Sequence, residues 1–225
     1  MTGAVPSLAC LPAFLPPDLA TALAGGERWV TRFDGADTVW HTWGDAHRPC
    51  VVLLHGGSGS WTHWVRNIAP LRDAGWRVLV PDLPGFGDSD LPPACTDADA
   101  LPPHLHAGLQ QLKARGACGD SVRLVGFSFG GMAAALWLAA HPQDAQQLVL
   151  VGTAASRFEV APVAPELHER CLVLHGEQDD TVPLASVMDW ARPQSLPITV
   201  IPGCEHFFHG QLPLLKSLVV RHLRT

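Results

Sequence analysis

The sequence predicts an α/β fold, a mostly parallel, twisted sheet of about eight strands flanked by helices. Three observations predict it. Short apolar runs rich in branched residues, such as Val51-Val52-Leu53-Leu54 and Gln147-Leu148-Val149-Leu150-Val151, have the length and composition of buried strands. Amphipathic or alanine-rich stretches bounded by proline and glycine separate them, as between Gly131 and Pro142. The two kinds of segment alternate, and right-handed crossovers then place helices on the faces of a parallel sheet.

Taken in order, residues 1–17 are apolar and proline-rich and read as a short arm, with a helix beginning near Asp18. Residues 1–26 are assigned to this arm and 27–225 to one domain. Strands are expected at 29–33, 38–43, 50–54, 77–80, 122–127, 147–151, 171–174 and 198–201. Helices are expected at 61–74, 99–115, 129–140, 184–191 and 212–224.

Composition excludes several classes of function. The 225 residues carry a net charge of −6 with no lysine or arginine cluster, so neither nucleic acid nor an anionic membrane is an expected partner. No apolar run reaches the roughly 18 residues that span a bilayer. The N-terminus lacks the positively charged start of a secretory signal, and the chain reads as cytoplasmic. Six cysteines show no paired spacing; Cys50 and Cys171 fall on core strands, which suggests free thiols. Twelve histidines form no metal-ligand pattern, so no metal is expected.

The chemistry concentrates in five segments. Gly126-Phe127-Ser128-Phe129-Gly130 fits G-x-S-x-G and stands between a β-rich run and an alanine-rich helix. A serine hydroxyl at neutral pH needs a histidine to take its proton and a carboxylate to orient that histidine. Gly176-Glu177-Gln178-Asp179-Asp180-Thr181-Val182-Pro183 leaves the end of one strand, and Pro202-Gly203-Cys204-Glu205-His206-Phe207-Phe208-His209 leaves the end of the next. His55-Gly56-Gly57-Ser58-Gly59-Ser60 follows a strand as well, and Pro81-Asp82-Leu83-Pro84-Gly85-Phe86-Gly87-Asp88-Ser89 forms a turn after another.

These motifs, in this order, resemble those of the α/β-hydrolase superfamily of esterases and lipases, and the likeness runs from about Trp29 to the C-terminus. The resemblance implies Ser128 as nucleophile, His206 as general base and acid, and Asp179 as orienting acid, with the backbone N–H groups of Gly57 and Phe129 as the oxyanion hole. Asp180 and His209 are the rivals of Asp179 and His206; the family's G-x-x-D-x-x-V-P spacing favours Asp179, and the shorter distance from the strand end favours His206. His55, Asp82 and Asp88 are expected to support loops through hydrogen bonds. Ser58, Trp61, Trp64 and Phe207 are candidates for the substrate pocket, with a core position the competing reading for the tryptophans, as it is for Trp137.

Many relatives carry a helical cap between the sixth and seventh strands, but here residues 152–170 alone join them, interrupted by Pro162 and Pro165. The resemblance therefore implies a carboxylesterase-like hydrolase of small acyl esters with little or no cap and no cofactor. Thioester hydrolysis, carbon–carbon bond hydrolysis and perhydrolysis use the same triad. A silent hydrolase fold acting as a binding module is the reading of another class, and loss of a triad member would mark it.

Overall fold

The computed structural model describes residues 6–8, 11–93 and 97–224. Its strands are β1 (Ser7–Leu8), β2 (Glu27–Phe33), β3 (Ala36–Trp43), β4 (Cys50–Leu54), β5 (Arg77–Pro81), β6 (Val122–Phe127), β7 (Gln147–Val151), β8 (Cys171–Gly176) and β9 (Ile198–Ile201). The helices are α1 (Pro17–Leu23), α2 (Val65–Asp73), α3 (Leu101–Ala114), α4 (Phe129–Ala140), α5 (Leu184–Ala191) and α6 (Leu212–Leu223). All eight expected strands are present. The two-residue β1 is an addition that pairs antiparallel with β2, so the N-terminal arm supplies an edge to the sheet.

Two expected helices are divided at their N-terminal ends. The segment 61–74 opens as a 3₁₀ turn, Trp61–Trp64, before α2, because the Ser60 side chain accepts a hydrogen bond from the Thr62 N–H and fixes a tight first turn. The segment 99–115 likewise opens on a 3₁₀ turn, Ala98–Ala100, capped by Asp97, and Pro102 at the start of α3 suits a first helical turn whose N–H groups have no intrahelical acceptor.

The strand order is β1-β2-β3-β5-β4-β6-β7-β8-β9. Pairing is antiparallel from β1 through β3 to β5 and parallel from β5 to β9. Strands β4, β5 and β7 are buried along their whole length, which explains their largely apolar sequences, whereas β9 at the edge is partly exposed. Alternation then assigns each residue to a face. Val52 and Leu54 enter one core with α3, α4 and α5, while Val51 and Leu53 enter the other with α1, α2 and α6.

The order β5-β4-β6 has a functional consequence. From β4 the chain crosses to β5 on one side, and from β5 it returns over β4 to β6 on the other. Right-handed crossovers in opposite directions require helices on opposite faces, and a crevice opens where the strand order reverses, at the C-terminal ends of β4 and β6. The loop 55–60 leaves β4 there, and Ser128 follows β6.

Candidate active site

Ser128 stands between the last residue of β6 and the first of α4 with φ 55° and ψ −114°, a region that costs an L-residue of the order of 1–3 kcal/mol. Its neighbours hold it there. The Ser128 N–H donates to the Val151 carbonyl at 2.8 Å, and its own carbonyl accepts from the Gly131 N–H at 3.0 Å. The flanking glycines are required by close approach: a Cβ at Gly126 would collide with the carbonyl of Gly130, and one at Gly130 with the carbonyl of Leu54. The sequence G-x-S-x-G is thus the set of residues that lets helix α4 lie against strands β4 and β6 while its first turn carries the serine.

His206 and Asp179 meet this serine from the loops after β9 and β8. His206 Nε2 lies 3.1 Å from Ser128 Oγ, and His206 Nδ1 lies 2.7 Å from Asp179 Oδ2. An ionised carboxylate can only accept, so Nδ1 carries the proton and Nε2 presents its lone pair to the serine hydroxyl. Asp179 Oδ1 accepts from the backbone N–H groups of Thr181 and Val182 at 3.0 and 2.7 Å. Burial pushes the Asp179 carboxyl up, but the hydrogen bond from His206 and the Val182 N–H outweigh it and hold the carboxyl below the ordinary aspartate value. The ionised form needed to orient the imidazole is therefore the favoured one.

The rivals lie apart from this line. Asp180 is exposed and 3.4 Å from the Thr181 hydroxyl. His209 is exposed and pairs with Glu205 at 3.0 Å. Glu205 also accepts from the N–H groups of Phe207 and His209, which fixes the tight turn that directs His206 inward.

The expected oxyanion donors border the serine. The Phe129 N–H is in the first turn of α4, where helical geometry provides no acceptor and the helix dipole is positive. Gly57 stands above Phe129: a Cβ built on Gly57 would be 3.7 Å from the Phe129 Cβ. His55 sets the loop's path. Its Nε2 accepts from the Leu83 N–H at 3.0 Å, so Nδ1 carries the proton and donates to the Gly56 carbonyl at 2.8 Å. Burial lowers the His55 pKa and keeps the ring neutral, as this pair of bonds requires. Asp82, also buried, accepts from the Trp61 and Asp88 N–H groups at 2.7 and 3.0 Å and joins the turn after β5 to the start of α2. Asp88 is exposed and contributes its backbone to this turn.

The four pocket candidates separate. Ser58 is exposed on the loop after β4, with φ 57°. Trp61 is a correction: it is a core residue, stacked on His41 at 4.7 Å between ring centroids and tilted against Trp43 at 5.5 Å. Its apolar mass anchors the 3₁₀ turn that begins the helix. Trp137 is core too and donates its indole N–H to Asp144 at 2.7 Å. Trp64 and Phe207 line a cavity of about 540 Å³ between α2 and α6. Phe207 also packs edge-on against the His206 ring at 5.1 Å.

Sequence reasoning missed four contributors. His175, fully buried at the end of β8, has Nε2 2.9 Å from the Val182 carbonyl and 3.5 Å from Asp179 Oδ2, so it pins the acid loop; its sequence appearance is only that of a polar residue ending an apolar strand. Gly152 has φ 55°, and a Cβ there would come within 3.2 Å of His206 and 3.7 Å of Asp179 Oδ2. Phe86 and Phe158 flank Phe129, at 5.5 and 5.3 Å between centroids, and give the site an aromatic rim. Their positions in two separate loops leave no local signal.

The segment 152–170 contains only the 3₁₀ turn Pro165–Arg170, so no helical cap is built between β7 and β8. Among the described residues, no group of three or more His, Cys, Asp or Glu is placed to hold a metal ion, and no helix is long and apolar enough to cross a membrane. Cys50, Cys118, Cys171 and Cys204 are free thiols; Cys10 and Cys95 lie outside the described residues.

The family description "alpha/beta hydrolase fold" matches residues 49–170, more than half of the chain. The chain belongs to the α/β-hydrolase fold family. This α/β-hydrolase is 36% identical over 143 residues to a 2-hydroxy-6-oxononadienedioate/2-hydroxy-6-oxononatrienedioate hydrolase of Cupriavidus pinatubonensis, a stretch covering 57% of this chain and 45% of that protein. The chain thus matches less than half the length of that relative. Among solved structures, a serine hydrolase without lid from Xanthomonas campestris superposes with a TM-score of 0.70 at 22% identity, covering 88% of this chain and 94% of the other. An esterase from Exiguobacterium antarcticum gives 0.72 at 18% identity, covering 87% and 98%. Both likenesses concern the fold.

Proposed function

We propose that this α/β-hydrolase is a serine hydrolase that cleaves small acyl esters through an acyl-enzyme. The observation that carries the reading is the unbroken hydrogen-bonded line Ser128 Oγ, His206 Nε2, His206 Nδ1, Asp179 Oδ2 at 3.1 and 2.7 Å. In this mechanism His206 Nε2 takes the hydroxyl proton as Ser128 Oγ attacks the acyl carbon, and Asp179 stabilises the imidazolium that forms. The Phe129 and Gly57 N–H groups receive the charge on the former carbonyl oxygen, where loss of one such donor typically costs about 3 kcal/mol of barrier. His206 then hands its proton to the leaving group and activates the water that releases the acid.

The lack of a cap supports small substrates. A cleft bordered by Phe86, Phe129, Phe158 and Phe207 offers apolar contact to a short acyl or aryl group and little area for a long chain. A second reading is favoured by the named relative: hydrolysis of a carbon–carbon bond in an oxo-dienoate, with the same triad. The deciding experiment is a panel of esters, thioesters and such carbon–carbon substrates assayed with the wild type and Ser128→Ala. Ester turnover that disappears in the variant is the expected result. Exclusive turnover of the carbon–carbon substrate would favour the second reading, and undiminished turnover in the variant would remove both.

A further inference from the structure

The cavity between α2 and α6 lies on the face of the sheet opposite α3, α4 and α5. Its floor is Leu53, Val125 and Val151 of β4, β6 and β7, and α6 contributes Leu215, Val219 and Val220 to its wall. The space is open to solvent on one side, and its volume of about 540 Å³ falls within the range of small-molecule sites.

Its polar features are specific in sign. Arg66 and Lys216 stand on its lining from the two opposing helices, and both are exposed side chains that form no ion pair with a carboxylate among the described residues. No Asp or Glu is among the residues that line the cavity. That bias runs against the chain as a whole, in which 21 acidic residues outnumber 15 lysines and arginines. Trp64 lines the same space, and its indole N–H is buried without a hydrogen-bond acceptor among the described residues. A buried donor left unpaired is unfavourable, and an acceptor on a ligand would satisfy it.

We propose that this cavity binds an amphipathic carboxylate of the fatty-acid class, its chain against the β4, β6 and β7 floor and its head group toward Arg66 and Lys216. None of Ser128, Asp179 and His206 lines this cavity; Phe127 and Phe207 do, and each packs on the His206 ring at 5.1 Å. The proposal is independent of the reaction proposed above.

Laurate is the probe, its affinity measured by equilibrium dialysis with the radiolabelled acid and checked through the part of the tryptophan fluorescence that is lost in Trp64→Phe. Saturable binding at or below about 100 μM is expected, an affinity of roughly 5.5 kcal/mol. Val219→Trp, which narrows the cavity, should weaken binding at least tenfold, and Arg66→Gln with Lys216→Gln should weaken it about tenfold. Dodecyltrimethylammonium, with the same chain and the opposite charge, should bind at least tenfold more weakly than laurate. Because the tryptophan variant alters packing, its near-UV circular dichroism is compared with the wild type. The double glutamine variant changes only exposed residues and tests the head group without that risk. Absence of saturable binding, equal affinity for the cation, or undiminished affinity in the folded Val219→Trp or the double glutamine variant would overturn the proposal.

Discussion

Replacing Asp179 by asparagine tests the geometry of the site with a change of one atom. The carboxylate oxygen Oδ1 accepts two backbone N–H groups, at 3.0 and 2.7 Å, and these can be satisfied only by the amide oxygen of asparagine. The amide NH₂ is then forced into the position of Oδ2, 2.7 Å from His206 Nδ1. A donor cannot face a donor, so the imidazole moves its proton to Nε2 and loses the lone pair that would take the serine proton. Loss of the correct tautomer in a serine triad lowers kcat by about 10⁴, or about 5.4 kcal/mol at 1.36 kcal/mol per tenfold. The effect on folding is smaller: two hydrogen bonds to a charged acceptor become bonds to a neutral one, a loss on the order of 1 kcal/mol each. The assay is kcat on a p-nitrophenyl ester, with urea unfolding of both proteins as the control. Exposed Asp180→Asn should leave kcat within about twofold. The reasoning is refuted if Asp179→Asn retains kcat within tenfold, or if Asp180→Asn is as damaging.

Gly152→Ala should lower kcat by at least tenfold while costing roughly 1–2 kcal/mol of stability, since its Cβ would press on His206 at 3.2 Å from a left-handed backbone; a shift in the urea midpoint with kcat intact would contradict this. His206→Ala should reduce kcat by several orders of magnitude and His209→Ala by less than about threefold, because His209 is exposed and paired with Glu205; reversed magnitudes in steady-state assays would transfer the base to His209. Stability should decline as pH falls below about 6.5, because burial holds the His55 and His175 pKa values below that of the unfolded chain, which then binds more protons; a second decline should follow below about 4, as Asp82 and Asp179, both lowered in the fold, are protonated. Urea midpoints flat from pH 7 to pH 5 would contradict the histidine part. Across p-nitrophenyl esters, kcat/KM should peak at short acyl chains, of roughly two to eight carbons, since each further methylene gains at most about 0.8 kcal/mol even when buried; a steady rise to long chains would show that another segment walls the cleft.

Much of this fold is written in local sequence. The strands β4 and β7 are legible because parallel strands buried on both sides favour an almost uninterrupted apolar run, and β6 is legible from Leu124 onward, after the half-buried Arg123. The nucleophile loop is legible for a similar reason, as two backbones approach so closely at Gly126 and Gly130 that only glycine fits. The acid and histidine loops follow strand ends, so their neighbourhood in space follows from the pairing of β8 with β9. What the sequence conceals is contact between distant segments. Trp61 is as apolar as a pocket residue, and only its stacking on His41 from β3 makes it core. His175 and Gly152 act through the far side of the Asp179 loop, and Phe158 reaches the site by packing on Phe129. Strand β1 is two residues long and held by pairing with β2, too short for any periodic signal.

The most direct measurement is the site and rate of labelling by a fluorophosphonate, which reports a nucleophilic serine without assuming a substrate. Peptide mass spectrometry should place one adduct on Ser128 in the wild type, with labelling abolished in Ser128→Ala, strongly slowed in His206→Ala and parallel to the loss of ester turnover. An adduct on another residue, or ester turnover that persists in Ser128→Ala, would contradict the assignment of Ser128, His206 and Asp179 as the reacting centre.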